Sequence, residues 1–399
     1  MTHRLLPDWI TAYLTFTQGT EPPKTYHRWT AISVLAGALQ RRVYMRWGHE
    51  VIYPNLYVIL VGPSGRSRKG TAMKIGKSLL QEVKGVTQTS ESITREALIR
   101  AMKSAVTNFS DGPDIRFQCA ITCISPELSV FLGQRDIKFL SNLTDWYDSS
   151  DQWTYETKGA GIDSVQGVCF NLLGATAPDW IQSMLPQEAI GGGFTSRCIF
   201  IVEEDKGQVV AKEVLSKADL ELRTTLKNDL EIIATVTGEM KFNADAELAY
   251  ISWYENQEKS ISENVMPVDD PRFSGYCERR ATHVKKLSMV MSACRTNNKM
   301  ITKEDFNNAV ASMEEAEQKM AKAFGGLGRG KFSEITQIIL DFIEKHQVVK
   351  RSILLRTFYR ELDIPTLKMI EDMMEQMKTV KIVRNMVENE VTYYFLGKG

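Results

Sequence analysis

The chain has 399 residues, with 49 Lys and Arg against 49 Asp and Glu. That length leaves room for two or three domains with their own cores, and the zero net charge removes any global signal for nucleic acid, so local patches would have to supply one. The six cysteines (119, 123, 169, 198, 277, 294) include no CxxC and no neighbouring histidine pair. They read as buried reduced thiols rather than as zinc ligands or a disulfide framework. No apolar run approaches membrane length, and the start Met-Thr-His-Arg-Leu-Leu-Pro-Asp is no signal peptide, so a cytoplasmic protein without membrane contact is expected.

Residues 1–50 read as an N-terminal helical region. Pro7-Asp8 suits a helix start, and after Glu21-Pro22-Pro23 a second helix places Ile32, Leu35, Ala36 and Leu39 on one face. Arg41, Arg42, Arg46 and His49 then form a basic cluster. It reads either as a solvated helix end beside the dipole or as a nucleic-acid contact. Residues 51–205 alternate strand and helix patterns, which predicts an α/β fold with a parallel sheet covered on both faces. Leu56 to Val61 is an apolar strand. A turn with Gly62, Pro63, Ser64 and Gly65 follows, then Arg68, Lys69, Gly70 and Thr71, then a helix over Ala72 to Val83. Strand, glycine loop and helix with a lysine at the junction is the phosphate-loop arrangement. Glycines let backbone N–H groups face an anion, the helix start adds positive potential, and Lys69 brings a mobile charge to the phosphates of ATP. The loop is one residue longer than the G-x-x-x-x-G-K-[ST] spacing, Gly70 follows the lysine, and Thr71 comes one place late for Mg²⁺. The plainer alternative is an ordinary glycine turn before a helix.

Further along, Thr94 to Ala105 reads as a helix, Asn108 to Asp114 as a loop and Phe117 to Ile124 as a strand. Glu127, just past that strand, stands where a carboxylate can orient and deprotonate an attacking water. A helix-start acid is the alternative. Trp153 to Gly161 reads as a hairpin with Lys158 at its tip, and Gly167 to Gly174 as a strand leading to Thr176. Gly191-Gly192-Gly193 leads to Arg197 and the strand Cys198 to Val202. Residues 206–325 turn all-helical, a change of class that marks a second domain, with helices at about 212–233, 244–262, 273–295 and 303–324 and with Thr302 and Asp305 as a capping box. Gly325 to Gly330 is a flexible linker. Residues 332–399 read as three helices and a hairpin, a winged helix, with Met374 and Met377 as core filler. Its third helix carries Glu371, Asp372 and Glu375, a poor charge set for a groove. Arg351, Arg356, Lys381 and Arg384 supply the positive charge elsewhere, which suits weak DNA-backbone binding or a protein contact better than sequence reading.

Tyr53-Pro-Asn-Leu-Tyr-Val-Ile-Leu-Val-Gly-Pro-Ser-Gly65 with Arg68-Lys-Gly-Thr71 resembles a family of helicase-like P-loop ATPases of phages and mobile elements, itself similar to AAA+ ATPases. The resemblance runs from about Tyr26 to Cys294. It implies a core at 51–205, a helical lid at 206–325, ATP and Mg²⁺ as ligands, and a ring, expected as a hexamer, on single-stranded or forked DNA. It implies that Thr176 acts as sensor 1 and Arg197 as an arginine finger for a neighbouring subunit. Arg279 or Arg280 would lean over the nucleotide as sensor 2, and Lys158 would touch DNA in the pore. Plainer alternatives are a capping threonine, a surface arginine and a surface hairpin. The Asp of the family's Asp-Glu pair is missing, since Ser125 and Pro126 precede Glu127. The implied activity is that of a replicative helicase, with a replication partner at the winged helix. A non-translocating initiator or helicase loader, or a slow nucleotide-gated regulator, is the alternative.

Overall fold

The apolar runs become the strands of a six-stranded sheet in the computed structural model, which describes residues 3–397 except 134–135, 158–160, 179, 182–184, 186–188, 190, 325–330, 360–361, 363, 377 and 386–389. The strands are β1 (Tyr57–Val61), β2 (Thr87–Gln88), β3 (Thr107–Asp111), β4 (Asp114–Ser125), β5 (Val168–Thr176) and β6 (Cys198–Val202). Five run parallel in the order β6-β1-β5-β4-β2, and β3 pairs antiparallel with β4. Every residue of β1, β5 and β6 is buried. This is why they read as continuous apolar runs rather than as alternating ones.

Two helices precede the sheet. α1 (Trp9–Thr17) begins where Asp8 accepts the Thr11 N–H at 2.7 Å. α2 (Lys24–Leu39) is buried along most of its length. It packs against α3 (Lys69–Gln81), which follows the glycine loop and comes so close that a side chain at Gly76 would meet Thr30 at 2.4 Å. The short strand Val43–Trp47 lies inside the stretch expected to be helical, and Glu50–Ile52 straddles its end. Val-Tyr-Met-Arg-Trp is rich in β-branched and aromatic side chains, and Gly48, at φ 59°, turns the chain between the two strands. The expected loop at 108–114 is mostly β3, turned onto β4 at Gly112 with φ 64°. Its polar alternation left it unrecognised.

The helical stretch after the sheet contains Lys217–Ile233, α4 (Ala244–Ser262), α5 (Ser274–Arg295) and α6 (Lys303–Met320). Residues 1–324 form one compact unit and Gly325–Gly399 another. In the second unit the helices Lys331–His346, Arg351–Thr357 and Ile364–Gln376 accompany a three-stranded antiparallel sheet of Val348–Lys350, Glu390–Phe395 and Val380–Asn385, in that spatial order. Ile339, Ile343, Leu354, Leu367, Met374 and Tyr393 fill its core. All six cysteines are free and buried. Among the described residues no helix is long and apolar enough to cross a membrane.

Candidate functional site

β1 ends at Val61, and residues 62–68 turn the chain into α3. Gly62 is required there. A Cβ on it would sit 2.2 Å from the Glu203 carbonyl and 2.6 Å from the Tyr26 hydroxyl. Tyr26 donates to the Val61 carbonyl at 2.6 Å and pins the last residue of β1, where the loop begins. Arg68, the residue before α3, is left-handed at φ 56°, a strained conformation for a side chain without local compensation.

Lys69 opens α3, and only 9 % of it is exposed. Its ammonium donates to the carbonyls of Gly62 at 2.5 Å and Pro63 at 3.1 Å. Burial pulls its pKa below the usual lysine range, while the charge of Glu127 acts in the opposite direction. Among the described residues Lys69 forms no ion pair. The first turn of α3 contains no acid, so a buried cation sits at the positive end of a helix dipole, the reverse of the stabilising arrangement. Arg66 and Arg68 flank it and are each neutralised, by Asp205 at 2.5 Å and by Glu21 at 2.7 Å. Ser64, Gly65 and Gly70 are exposed along the same loop, with Pro63 beside them, and Thr71 is half-buried in the first turn. Lys69 thus differs from the two arginines: carbonyls hold its ammonium, and among the described residues no carboxylate pairs with it.

The sheet brings two further expected residues to this place. Thr176 is the last residue of β5, in register with Val61, and its carbonyl accepts the Gly62 N–H at 3.2 Å. Ser125, the last residue of β4, is in register with Gly174, so Glu127, two residues on, follows the strand end at the same edge. Glu127 is exposed. Loop, threonine and glutamate therefore share the edge where the parallel strands end, outside which ligands of open α/β sheets bind. Ser125 is buried, and its hydroxyl donates to the Glu127 carbonyl at 3.0 Å.

The three arginines expected around the nucleotide lie elsewhere. Arg197 immediately precedes β6, at the edge where the strands begin, about 16 Å of strand away from the loop edge. It is 5 % exposed and held by its own chain. Its guanidinium meets Asp148 at 2.5 and 3.3 Å and the Gly193 carbonyl at 2.8 Å. A finger for a neighbour needs a presented guanidinium, and this one is sequestered. Arg279 meets the same Asp148 at 3.7 Å. Arg280 forms a buried bidentate pair with Glu317 at 2.6 and 2.9 Å, with Gln257 and Tyr276 on the same polar group. The physical reason is the path of α5, which crosses the strand-start edge. His283 bonds the Ser196 carbonyl and the Tyr147 hydroxyl, and Lys286 donates to Asn55 Oδ1 at 2.7 Å. Asn55 lies just before β1. Burial pushes the pKa of His283 down to about 3 and that of Lys286 down to about 7. His283 is fully buried, packed rather than solvent-facing.

The arms of the expected hairpin are formed by Gln152–Thr157 and Gly161–Gln166. Lys158, its expected tip, lies outside the described residues. In the second unit Arg351 pairs with the buried Glu371 at 3.3 Å, whereas Lys381 is exposed on an outer strand. Sequence reasoning did not find Tyr26, Glu21 or Asp205, which set the loop's shape and charge. No local pattern marks them, because each acts across more than thirty residues of sequence. Neither models of known protein families nor functionally described proteins match this chain.

Proposed function

We propose that the chain is a nucleotide-dependent ATPase of the AAA+ type, acting as a ring-shaped helicase on single-stranded DNA. The observation that carries this reading is the buried Lys69 ammonium at the start of α3, held by carbonyls and paired with no carboxylate among the described residues, at the sheet edge where β5 ends in Thr176 and Glu127 follows β4. A triphosphate is the ligand that relieves it. Its β- and γ-oxygens would accept from Lys69 and from the loop N–H groups, which Gly62 allows to come close. Glu127 would hold and deprotonate the attacking water, and Thr176 would hydrogen-bond the same water or the terminal phosphate.

Among the described residues no cluster of three or more His, Cys, Asp or Glu could hold a metal. Mg²⁺ fits such a place only as it commonly sits with nucleotides, on phosphate oxygens, waters and one or two protein oxygens. The Thr71 hydroxyl would be the protein's contribution. When bound, the ion neutralises charge on the transferring phosphoryl group.

In this reading the second unit, with three helices and a three-stranded antiparallel sheet, is a winged helix that recruits DNA or a replication partner. Lys158 would be the pore contact. A specific observation favours a second reading, a switch or loader that hydrolyses slowly. The strand end before Glu127 offers Ser125 and Pro126 in place of a carboxylate. Lys69→Ala should abolish binding of a fluorescent ATP analogue. Glu127→Gln should keep the binding and drop phosphate release at least about a hundredfold, within the range of general-base catalysis. Full turnover by Glu127→Gln would refute the assigned base. A wild type that hydrolyses ATP yet never unwinds a forked duplex would favour the switch.

A further inference from the structure

The basic cluster that follows α2 is not used by the nucleotide edge. In the fold it becomes a layered arrangement of guanidiniums and rings. Arg41 stacks over Tyr53 with its guanidinium carbon 4.0 Å from the ring centre, and Arg116 over Tyr44 at 4.5 Å. Arg42 lies 5.8 Å from the centre of the Phe109 ring, and Arg46 lies 5.8 Å from the centre of the same Tyr44 ring. Arg41, Tyr53, Phe109, Arg116 and Phe117 border a cavity of about 300 Å³. Two of the four charges are already satisfied. Arg41 is buried and bound to Asp151 and to the Ser149 and Val168 carbonyls at 2.6 Å, and Arg116 meets Asp111 at 2.8 Å. Arg42 and Arg46 form no ion pair among the described residues, and Arg42 Nε has no hydrogen-bond partner. Beside them Ile115 and Phe117, on one face of the projecting start of β4, are 69 % and 50 % exposed. The stacked rings of Trp153 and Tyr155 stand on the neighbouring hairpin, 6.0 Å apart and 3° from parallel.

We infer that this face binds single-stranded DNA. The occupant follows from what is left unsatisfied. Two guanidiniums without carboxylates call for anions that recur along a chain. An exposed ring beside an open cavity calls for flat, weakly polar groups between those anions. Double-stranded DNA hides its base faces, whereas a single strand offers both together. The arginines that are already paired hold the rings flat. The unpaired ones meet phosphates, and Phe117 takes a base. The choice of DNA over another polyanion rests on the proposed helicase reading. The arrangement of arginines and rings does not.

The test uses the full-length protein and a fluorescein-labelled dT20 oligonucleotide, followed by anisotropy over a salt series. Arg42→Ser with Arg46→Ser should weaken binding at least about tenfold. It should also flatten the log-affinity against log-salt slope by about 1.4, since each single-strand phosphate contact contributes about 0.7. Phe117→Ala, at a half-exposed position, should weaken binding by a similar factor and leave the slope unchanged. Basal ATPase and the melting temperature should stay at wild-type values in Phe117→Ala, which separates lost contact from lost fold. Wild-type binding that neither variant reduces would overturn this surface while leaving the helicase reading standing. A wild type with no affinity for dT20, or one that prefers a labelled peptide or U20 RNA, would overturn the inference and its DNA premise together. ATP binding through Lys69 would be untouched by that result.

Discussion

At Gly62 the loop, α2 and the residue that follows β6 meet within a methyl group's width. Gly62→Ala should therefore lower stability by about 1–3 kcal/mol, as overpacking does, and weaken ATP-analogue binding in the same variant. Calorimetry beside a nucleotide titration would show both, and a variant with normal melting and normal affinity would remove the loop's dependence on Tyr26 and Glu203. Lys286 gives a pH prediction. Its pKa is held near 7 by burial, against about 10.4 in an unfolded chain. Between those values the unfolded chain binds a proton that the folded one does not, so stability rises with pH across the window. Urea midpoints should climb from pH 7 to 9 in the wild type and stay nearly level in Lys286→Met. A level wild-type profile would mean that the lysine stays charged in the fold. Residue chemistry was readable in the sequence where it is local. Lys69 and Gly62 were found because spacing and element order mark them. Arg197, Arg279 and Arg280 were placed at the nucleotide on their motif context alone. Their partners Asp148 and Glu317 lie more than thirty residues away, and only the packing of α5 decides which edge of the sheet they serve.

Elements were legible in proportion to their periodicity. β6 and α4 fall where the apolar run and the helical pattern put them, and the expected box at Thr302 is formed in full. Asp305 accepts the Thr302 N–H at 2.8 Å, and Thr302 accepts the Asp305 N–H at 3.3 Å. Asp305 carries a second duty that no box pattern announces, since it is fully buried and meets Arg295 at 2.7 Å. Thr302→Ala should cost about 1 kcal/mol, as a lost cap does. Asp305→Ala should cost about 2–3 kcal/mol, because bonds to charged groups are lost as well. Chemical denaturation of both variants tests the order, and equal losses would mean that the arginine contact contributes nothing. β3 and the strand Val43–Trp47 are not legible in the sequence because they are short, partly polar and stabilised by pairing. Propensity within the segment carries little of that information.

The whole molecule divides between Phe324 and Gly325 into two units, and the second has its own core around Ile339, Leu354 and Tyr393. A chain ending at residue 324 should therefore fold, melt cooperatively and keep the proposed binding of an ATP analogue. Aggregation of that fragment would show that the first unit needs the second. The glycine run at 325–330 made this division visible in the sequence. The inclusion of residues 206–324 in the same unit as the sheet was not visible, because composition reports the class of a segment and not what it packs against.

The sheet order has a consequence for how the protein is made. β1 lies between β5 and β6, so both of its neighbours come from residues translated more than a hundred positions later. At ribosomal rates of about 5–20 residues per second that is roughly 5–20 s. During this interval Tyr57–Val61 has neither of the strands that cover it. The nascent chain thus carries an unpaired, apolar strand immediately before its glycine loop, and codon usage between residues 61 and 168 sets how long that strand must be shielded from other chains.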